Sequence, residues 1–252
     1  MCLCDVAFNT VLKLWPEIGK ACTEYQDNVF RNLHCKRIQC DEIWSFCYAK
    51  EINVPEEMRS RFGYGDVWTW VAIDADTKLV PSWLVGRRDA GYAFQFMSDL
   101  AARLANRVQF TTDGHKSYLT AVEDVFGTEV DYSMLVKIYG TELEANEVRY
   151  SPPKCLGARK QDIIGNPDAK HVSTSYVERQ NLTMRMSMRR FTRLTGGFSK
   201  KIENHGYSLA RHYIHYNFCR IHKSLRVTPA MESGVSDHVW TVEEIAALLD
   251  SK

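Results

Sequence analysis

Three acidic residues stand where carboxylates can serve a divalent metal: Asp41, Asp113 and Glu178. Cleaving a phosphodiester with two divalent ions needs carboxylates that converge from separate elements, because Mg²⁺ takes hard oxygen ligands in near-octahedral geometry. Two such ions, roughly 3.5–4 Å apart, stabilise the attacking and leaving oxygens of an in-line displacement. The pattern that serves this chemistry is an Asp inside a strand, a second at the end of a neighbouring strand, and a third acid on a nearby helix.

Asp41 lies in IQCDEIWSF, an otherwise apolar strand, where an unpaired carboxylate is costly unless it meets a cation or a donor. Strand alternation points Glu42 to the opposite face, so only one of the two is expected to face the site. Asp41 is preferred, with Glu42 as the alternative ligand and a water-facing strand-edge acid as the plainer reading. Asp113 closes RVQFTTD, and Gly114 permits a sharp turn after it, although Asp-Gly serves equally as a simple turn. His115 and Lys116 follow as accessory candidates beside that turn. Glu178 falls in the first turn of STSYVERQNLTMRMSMRR, with Asn181, Leu182, Arg185 and Arg189 near its helical face. Taken alone, an acid there equally complements the positive end of the helix dipole.

The elements that must position these residues can be read from pattern. Residues 6–33 read as helical, with Asn9 or Thr10 as a cap and Pro16 opening a second helix. Aromatic and bulky apolar residues from Arg37 make a strand. VWTWVAIDAD (67–76), apolar on both faces, and KLVPSWLVGRRD (78–89) form a hairpin. Pro81 assigns the second of these to the sheet edge. An amphipathic helix over 90–106, the strand 107–113, a helix over 116–126 and a strand over 129–139 follow.

Hairpins first and βα units later describe a mixed five-stranded sheet flanked by helices, an α/β arrangement with the connectivity of the ribonuclease-H-like fold, although element order alone fits other α/β folds too. Residues 140–173, with Pro152, Pro153, Gly157, Gly165 and Pro167 along them, are expected to be an irregular insertion. A basic helix over 174–194, capped by Ser173, Thr174 or Ser175 and ended by Gly196-Gly197, precedes a helix over 200–219. Thr241-Val242-Glu243-Glu244 is a capping box for a last short helix.

With 32 Lys and Arg against 31 Asp and Glu, the chain is nearly neutral, and distribution matters more than the sum. Residues 179–201 carry seven Arg and Lys and no acid, where a solvated helix face would mix in i,i+4 partners. This favours a polyanion partner. No apolar run reaches membrane-spanning length, and the N-terminus lacks the texture of a secretion signal, so a cytoplasmic protein is expected. The eight cysteines show no CxxC pair, and a zinc site at Cys35, Cys40 and His34 is disfavoured because Cys40 falls within a strand.

At these residues the sequence resembles a known family. DEIWSF, TTDGHKSY and STSYVERQNLTMRMSMRRFTRLTGGFSKK resemble the three acidic blocks of bacterial insertion-sequence transposases of the DDE class, in the group related to the first-described insertion element. YNFCRIHKSLRVTPA (216–230) is similar to the tail block of integrase-core transposases. The resemblance implies a ribonuclease-H-like core, two Mg²⁺ (or Mn²⁺) ions on Asp41, Asp113 and Glu178, and cut-and-join chemistry at the ends of a mobile element.

It further implies double-stranded DNA as partner, both transposon ends and target, bound by a homodimer or larger assembly in the bacterial nucleoid. Arg185 matches the basic residue that follows the third acid. Arg179, Asn181, Arg189, Arg190, Arg193, Lys200 and Lys201 complete the expected DNA-binding set. Tyr216, Asn217, Arg220 and His222 fall on the tail block, with buried packing as their expected role.

The expected organisation is a helical N-terminal segment (1–36), a catalytic core (37–232) with the 140–173 insertion, and a helical tail (233–252). DVAFNTVLKLWPEIG resembles the recognition helix of a helix-turn-helix whose first helix would precede residue 1. Two rival readings stand beside the transposase: a hydrolytic nuclease of the same fold, and a DNA-binding remnant without catalysis.

Overall fold

The computed structural model describes residues 6–140, 155–192 and 196–250. Its centre is a six-stranded sheet: β1 (Arg37–Cys47), β2 (Gly65–Asp74), β3 (Ser82–Gly86), β4 (Val108–Asp113), β5 (Val130–Tyr139) and β6 (Cys155–Ile164), in the order β3-β2-β1-β4-β5-β6. β1 pairs antiparallel with β2 and parallel with β4; β2–β3 is antiparallel, β4–β5 parallel and β5–β6 antiparallel. Strands β1 to β5 have the ribonuclease-H-like arrangement.

Helices cover both faces because the central strands are apolar on both. One face buries Ile38, Cys40, Trp70 and Ala72 under α2 (Ala90–Ala101) and α3 (Ser117–Phe126). The other buries Ile43, Val71 and Ile73 under α4 (Ser175–Ser187) and α5 (Ile202–Ile214). Asp89 caps α2, its carboxylate accepting from the Tyr92 N–H. The short α6 (Pro229–Glu232) and α7 (Val242–Ala247) follow, and α7 carries the expected capping box of Thr241 and Glu244.

Four expectations change. The sheet has six strands, not five, because β6 lies within the expected irregular insertion; residues 141–154 of that insertion lie outside the described residues. CLGARKQDII buries almost nothing, so it carries no apolar alternation, and its pairing with β5 alone makes it a strand. Its charged edge residues Arg159 and Lys160 discourage further pairing.

Pro16 does not open a second helix. It sits inside one unbroken helix, α1 (Phe8–Val29), whose N-cap is Ala7 rather than Asn9 or Thr10. Tertiary packing outweighs the missing N–H: Gly19 lets α1 approach α5 so closely that a Cβ there would stand 2.3 Å from that of Tyr207. Gln26 Nε2 also donates to the Ala210 carbonyl at 3.2 Å.

α4 ends at Ser187, seven residues before the expected stop, where Met188 turns extended and a 3₁₀ turn (Arg189–Phe191) drops Phe191 into the core. Finally, α5 stops at Ile214 and continues as a π turn, His215–Cys219. That wider turn carries Asn217 to Val80, where its amide both accepts from N–H and donates to C=O at 3.0 Å. Tyr216 donates to the Lys78 carbonyl at 3.1 Å. Both have the expected packing role, whereas Arg220 is exposed. No helix among the described residues is long and apolar enough to cross a membrane.

Candidate catalytic carboxylate site

β1 and β4 run side by side and parallel, with Cys40 paired to Thr112. One residue further on each strand come Asp41 and Asp113. β4 ends there while β1 runs on to Cys47, so no strand separates the two sheet faces beside Asp41 and Glu42. Carboxylates from either face can therefore reach the end of β4. Oxygens of Asp41, Glu42 and Asp113 lie within 4.8 Å of one another, the group among the described residues suited to a metal. Of the two neighbours Asp41 lines the cleft, whereas Glu42 is fully buried beside it with an oxygen still near those of both aspartates.

Each acid is held by identifiable partners. Asp41 Oδ1 accepts from the Glu42 N–H at 2.8 Å, and Oδ2 accepts from Asn181 Nδ2 at 2.9 Å. Asp113 Oδ1 accepts from the His115 N–H at 3.0 Å. Arg88 bridges the other two acids: its Nε donates to Glu42 Oε2 at 2.9 Å, and a terminal nitrogen lies 3.6 Å from Asp113 Oδ2. Arg88 also lies over the Trp68 ring at 4.8 Å. The second carboxylate oxygen of Glu42 is buried, and the neighbouring Tyr118 hydroxyl lowers the residue's proton affinity.

Burial and repulsion from a neighbouring carboxylate raise the proton affinity of Asp41 and Glu42. Desolvation, then the charge of Asp113, pushes Asp41 up to about 6. The same two causes push Glu42 up to about 7, against the opposing pull of Arg88. A buried carboxylate group this short of positive charge is relieved by a divalent cation, which supplies what one guanidinium cannot.

Glu178 opens onto the same cleft of about 670 Å³, together with Asp41, Arg88, Asp113, His115 and Lys116. It stands outside the tight cluster, with Oε1 held by Lys137 Nζ at 2.7 Å and by the Thr174 hydroxyl at 2.5 Å. Thr174 is the N-cap residue, but its side chain serves Glu178 rather than the helix backbone. The helix start is fixed instead from β1: buried Gln39 accepts the Tyr176 and Val177 N–H groups at 2.9 and 3.2 Å. Gln39 thus sets α4 against the strand that carries Asp41, two residues on.

His115 stacks on Trp70 with ring centroids 5.8 Å apart, and burial together with Arg88 lowers its affinity for a proton. It lines the cleft as a neutral ring. Sequence reasoning missed Arg88, Lys137 and Gln39, and of these only Arg88 carried a signal, the paired arginines Arg87-Arg88 just after β3.

The expected DNA-contacting residues are dispersed. Arg179 and Arg185 are exposed on α4, and Lys200 and Lys201 are exposed just before α5. Arg189 has left the helix for the 3₁₀ turn, and Arg190 folds back, half-buried, to donate to Ser199 Oγ at 2.8 Å. Asn181 is buried against Asp41. Arg193 lies outside the described residues.

No protein-family model matches the chain, and no curated protein matches it. Among solved structures, the chain is similar to the piggyBac transposase in its synaptic complex with hairpin DNA, at 9% identity and a TM-score of 0.43, over 86% of this chain and 52% of that one. It is also similar to a chain of the Mos1 strand transfer complex, at 16% identity and a TM-score of 0.27, over 80% of this chain and 59% of that one. The chain thus spans between half and three-fifths of the length of these proteins.

Proposed function

We propose that this chain is a metal-dependent DNA transposase of the DDE class, cutting DNA at the ends of a mobile element and joining the freed ends to target DNA. The observation that carries the reading is the convergence of Asp41, Glu42 and Asp113 oxygens within 4.8 Å at the end of β4. The donor set is all oxygen and anionic, which suits Mg²⁺ or Mn²⁺.

Asp41 and Asp113 would hold the ions, with Glu178 or Glu42 as the third acid. When bound, such ions supply charge stabilisation for the attacking and leaving oxygens of an in-line displacement. The chain's own residues prepare the site. Asn181 orients Asp41, Gln39 sets the height of α4, and Arg88 and Lys137 act as internal counter-ions to the acids. Exposed Arg179 and Arg185 lie on α4 beyond Glu178, positioned to hold a phosphate backbone without reading bases.

Double-stranded DNA is the proposed partner, and holding two ends together calls for a dimer or larger assembly. A supercoiled plasmid bearing two element ends tests the reading. Cleavage that requires a divalent ion and is lost in Asp113→Asn supports it, and full activity of that variant removes Asp113 from the site. Joining of a pre-cut 3′ end to target DNA separates a transposase from a purely hydrolytic nuclease.

A further inference from the structure

Where α4 ends, a second concavity begins. A cavity of about 750 Å³ opens between α1, α5 and the segment joining α4 to α5. Arg190, Lys200, Arg211 and Arg220 line it together with Trp15, and no carboxylate does so. None of these four cations forms an ion pair with an acid among the described residues. Arg211 lies 3.9 Å over the Trp15 ring, yet Trp15 remains 49% exposed. Burial first, and the charge of Arg190 second, push Arg211 down to about 10, while its guanidinium donates to the Trp15 carbonyl and the Ser208 hydroxyl.

An open basic concavity with an aromatic wall matches the chemistry of one strand of nucleic acid. Cationic groups follow the backbone, and the aromatic ring takes a base face. A double helix can offer this concavity its phosphates but keeps its base faces covered by stacking, so only an unpaired base can lie against Trp15. From Glu178 to Ser187 the α4 axis rises about 14 Å, the length of about four stacked nucleotides.

We infer that this cavity holds an unpaired nucleotide of the DNA strand that leads to the carboxylates, its phosphate among Arg190, Arg211 and Arg220 and its base against Trp15. The inference rests on the DNA reading above and adds to it a preference for locally unpaired strand.

Direct binding without divalent ions tests it, using the full chain, a labelled oligothymidylate of about five nucleotides and a blunt duplex. Trp15→Ala should weaken oligothymidylate binding about tenfold and leave duplex binding unchanged. Lys200 and Arg220 are exposed, so replacing both with Ser does not threaten folding. That variant should flatten the log–log salt dependence of oligothymidylate binding by about 0.7 per lost phosphate contact. Unchanged oligothymidylate affinity in both variants overturns the proposal. So does inorganic polyphosphate binding the unaltered chain as tightly as oligothymidylate, which would make the cavity an anion site with no seat for a base. Intact cleavage with no effect of Trp15 or Arg220 on oligothymidylate defeats the cavity alone; absent cleavage with those effects present defeats the catalytic reading alone.

Discussion

Asn181 on α4 donates its side-chain amide to Asp41 on β1 at 2.9 Å, tying the helix that carries Glu178 to the strand that carries the first aspartate. This bond favours the charged carboxylate and opposes the desolvation that lifts Asp41 to about 6. Replacing Asn181 with Leu removes that opposition, so Asp41 takes a proton at higher pH. The acidic limb of the pH–rate profile for DNA cleavage should move upward, with a roughly tenfold loss of rate near neutrality. An unchanged limb with a lower rate would leave Asn181 a purely structural residue.

Gln39 makes a related prediction at the other end of the contact. Gln39→Leu strips two acceptor bonds from the start of α4, and unmade buried bonds cost about 1–3 kcal/mol each. Thermal melting should fall by several degrees. The rate loss at a temperature where the variant is fully folded should exceed that of a comparable core substitution, because Glu178 shifts with the helix.

Asp41 at about 6 and Glu42 at about 7 stand above the ordinary carboxyl values of 3.8 and 4.5. Between about pH 4 and about pH 7 the folded chain keeps protons that the unfolded chain has released, so stability falls as pH rises through that window. Each acid contributes at most about 3 kcal/mol. Calorimetry without divalent ions should show the decline, and Glu42→Gln should flatten it. Adding Mg²⁺ should restore stability above about pH 6, increasingly so towards pH 8, because the ion competes with those protons.

Asn217 and Val80 form a clamp independent of the acids. Asn217→Leu leaves the Val80 N–H and C=O both unpaired in the interior, and should lower stability by about 2–4 kcal/mol in denaturant titration. Gly19→Ala should act similarly through a different cause, since its Cβ meets the Tyr207 side chain and backbone. Overpacking of this kind costs about 1–3 kcal/mol. Either variant melting like the unaltered chain would contradict these contacts.

Strands β1 to β5 were legible because each buries at least one face and so writes its period into the residue types. β6 buries neither, and its sequence carries only loop signals. Asp41 and Asp113 were legible as acids at strand positions where water is scarce. Glu42 was legible only as the alternative to Asp41, because alternation points it away from the cleft and its nearness to Asp113 depends on where β4 stops. Arg88, Lys137 and Gln39 reach the site from separate elements, and a basic or amide side chain has no local spacing that announces a distant partner. The basic segment read as one long helix because Met188 and Arg189 are good helix formers; burial of Phe191 decided otherwise.

The placement of Asp41 and Glu42 on β1 has a consequence for motion. β1 is hydrogen-bonded to β2 on one side and to β4 on the other, whereas β3 and β6 are each bonded on one side only. The pairing with β4 covers Arg37–Cys40, so the amide hydrogens of that stretch should exchange with solvent only when the whole molecule opens, and those of β3 and β6 through smaller, more frequent openings. Asp41 and Glu42 thus follow directly on a doubly bonded stretch that anchors them, while Glu178 rides on a helix that can shift against it.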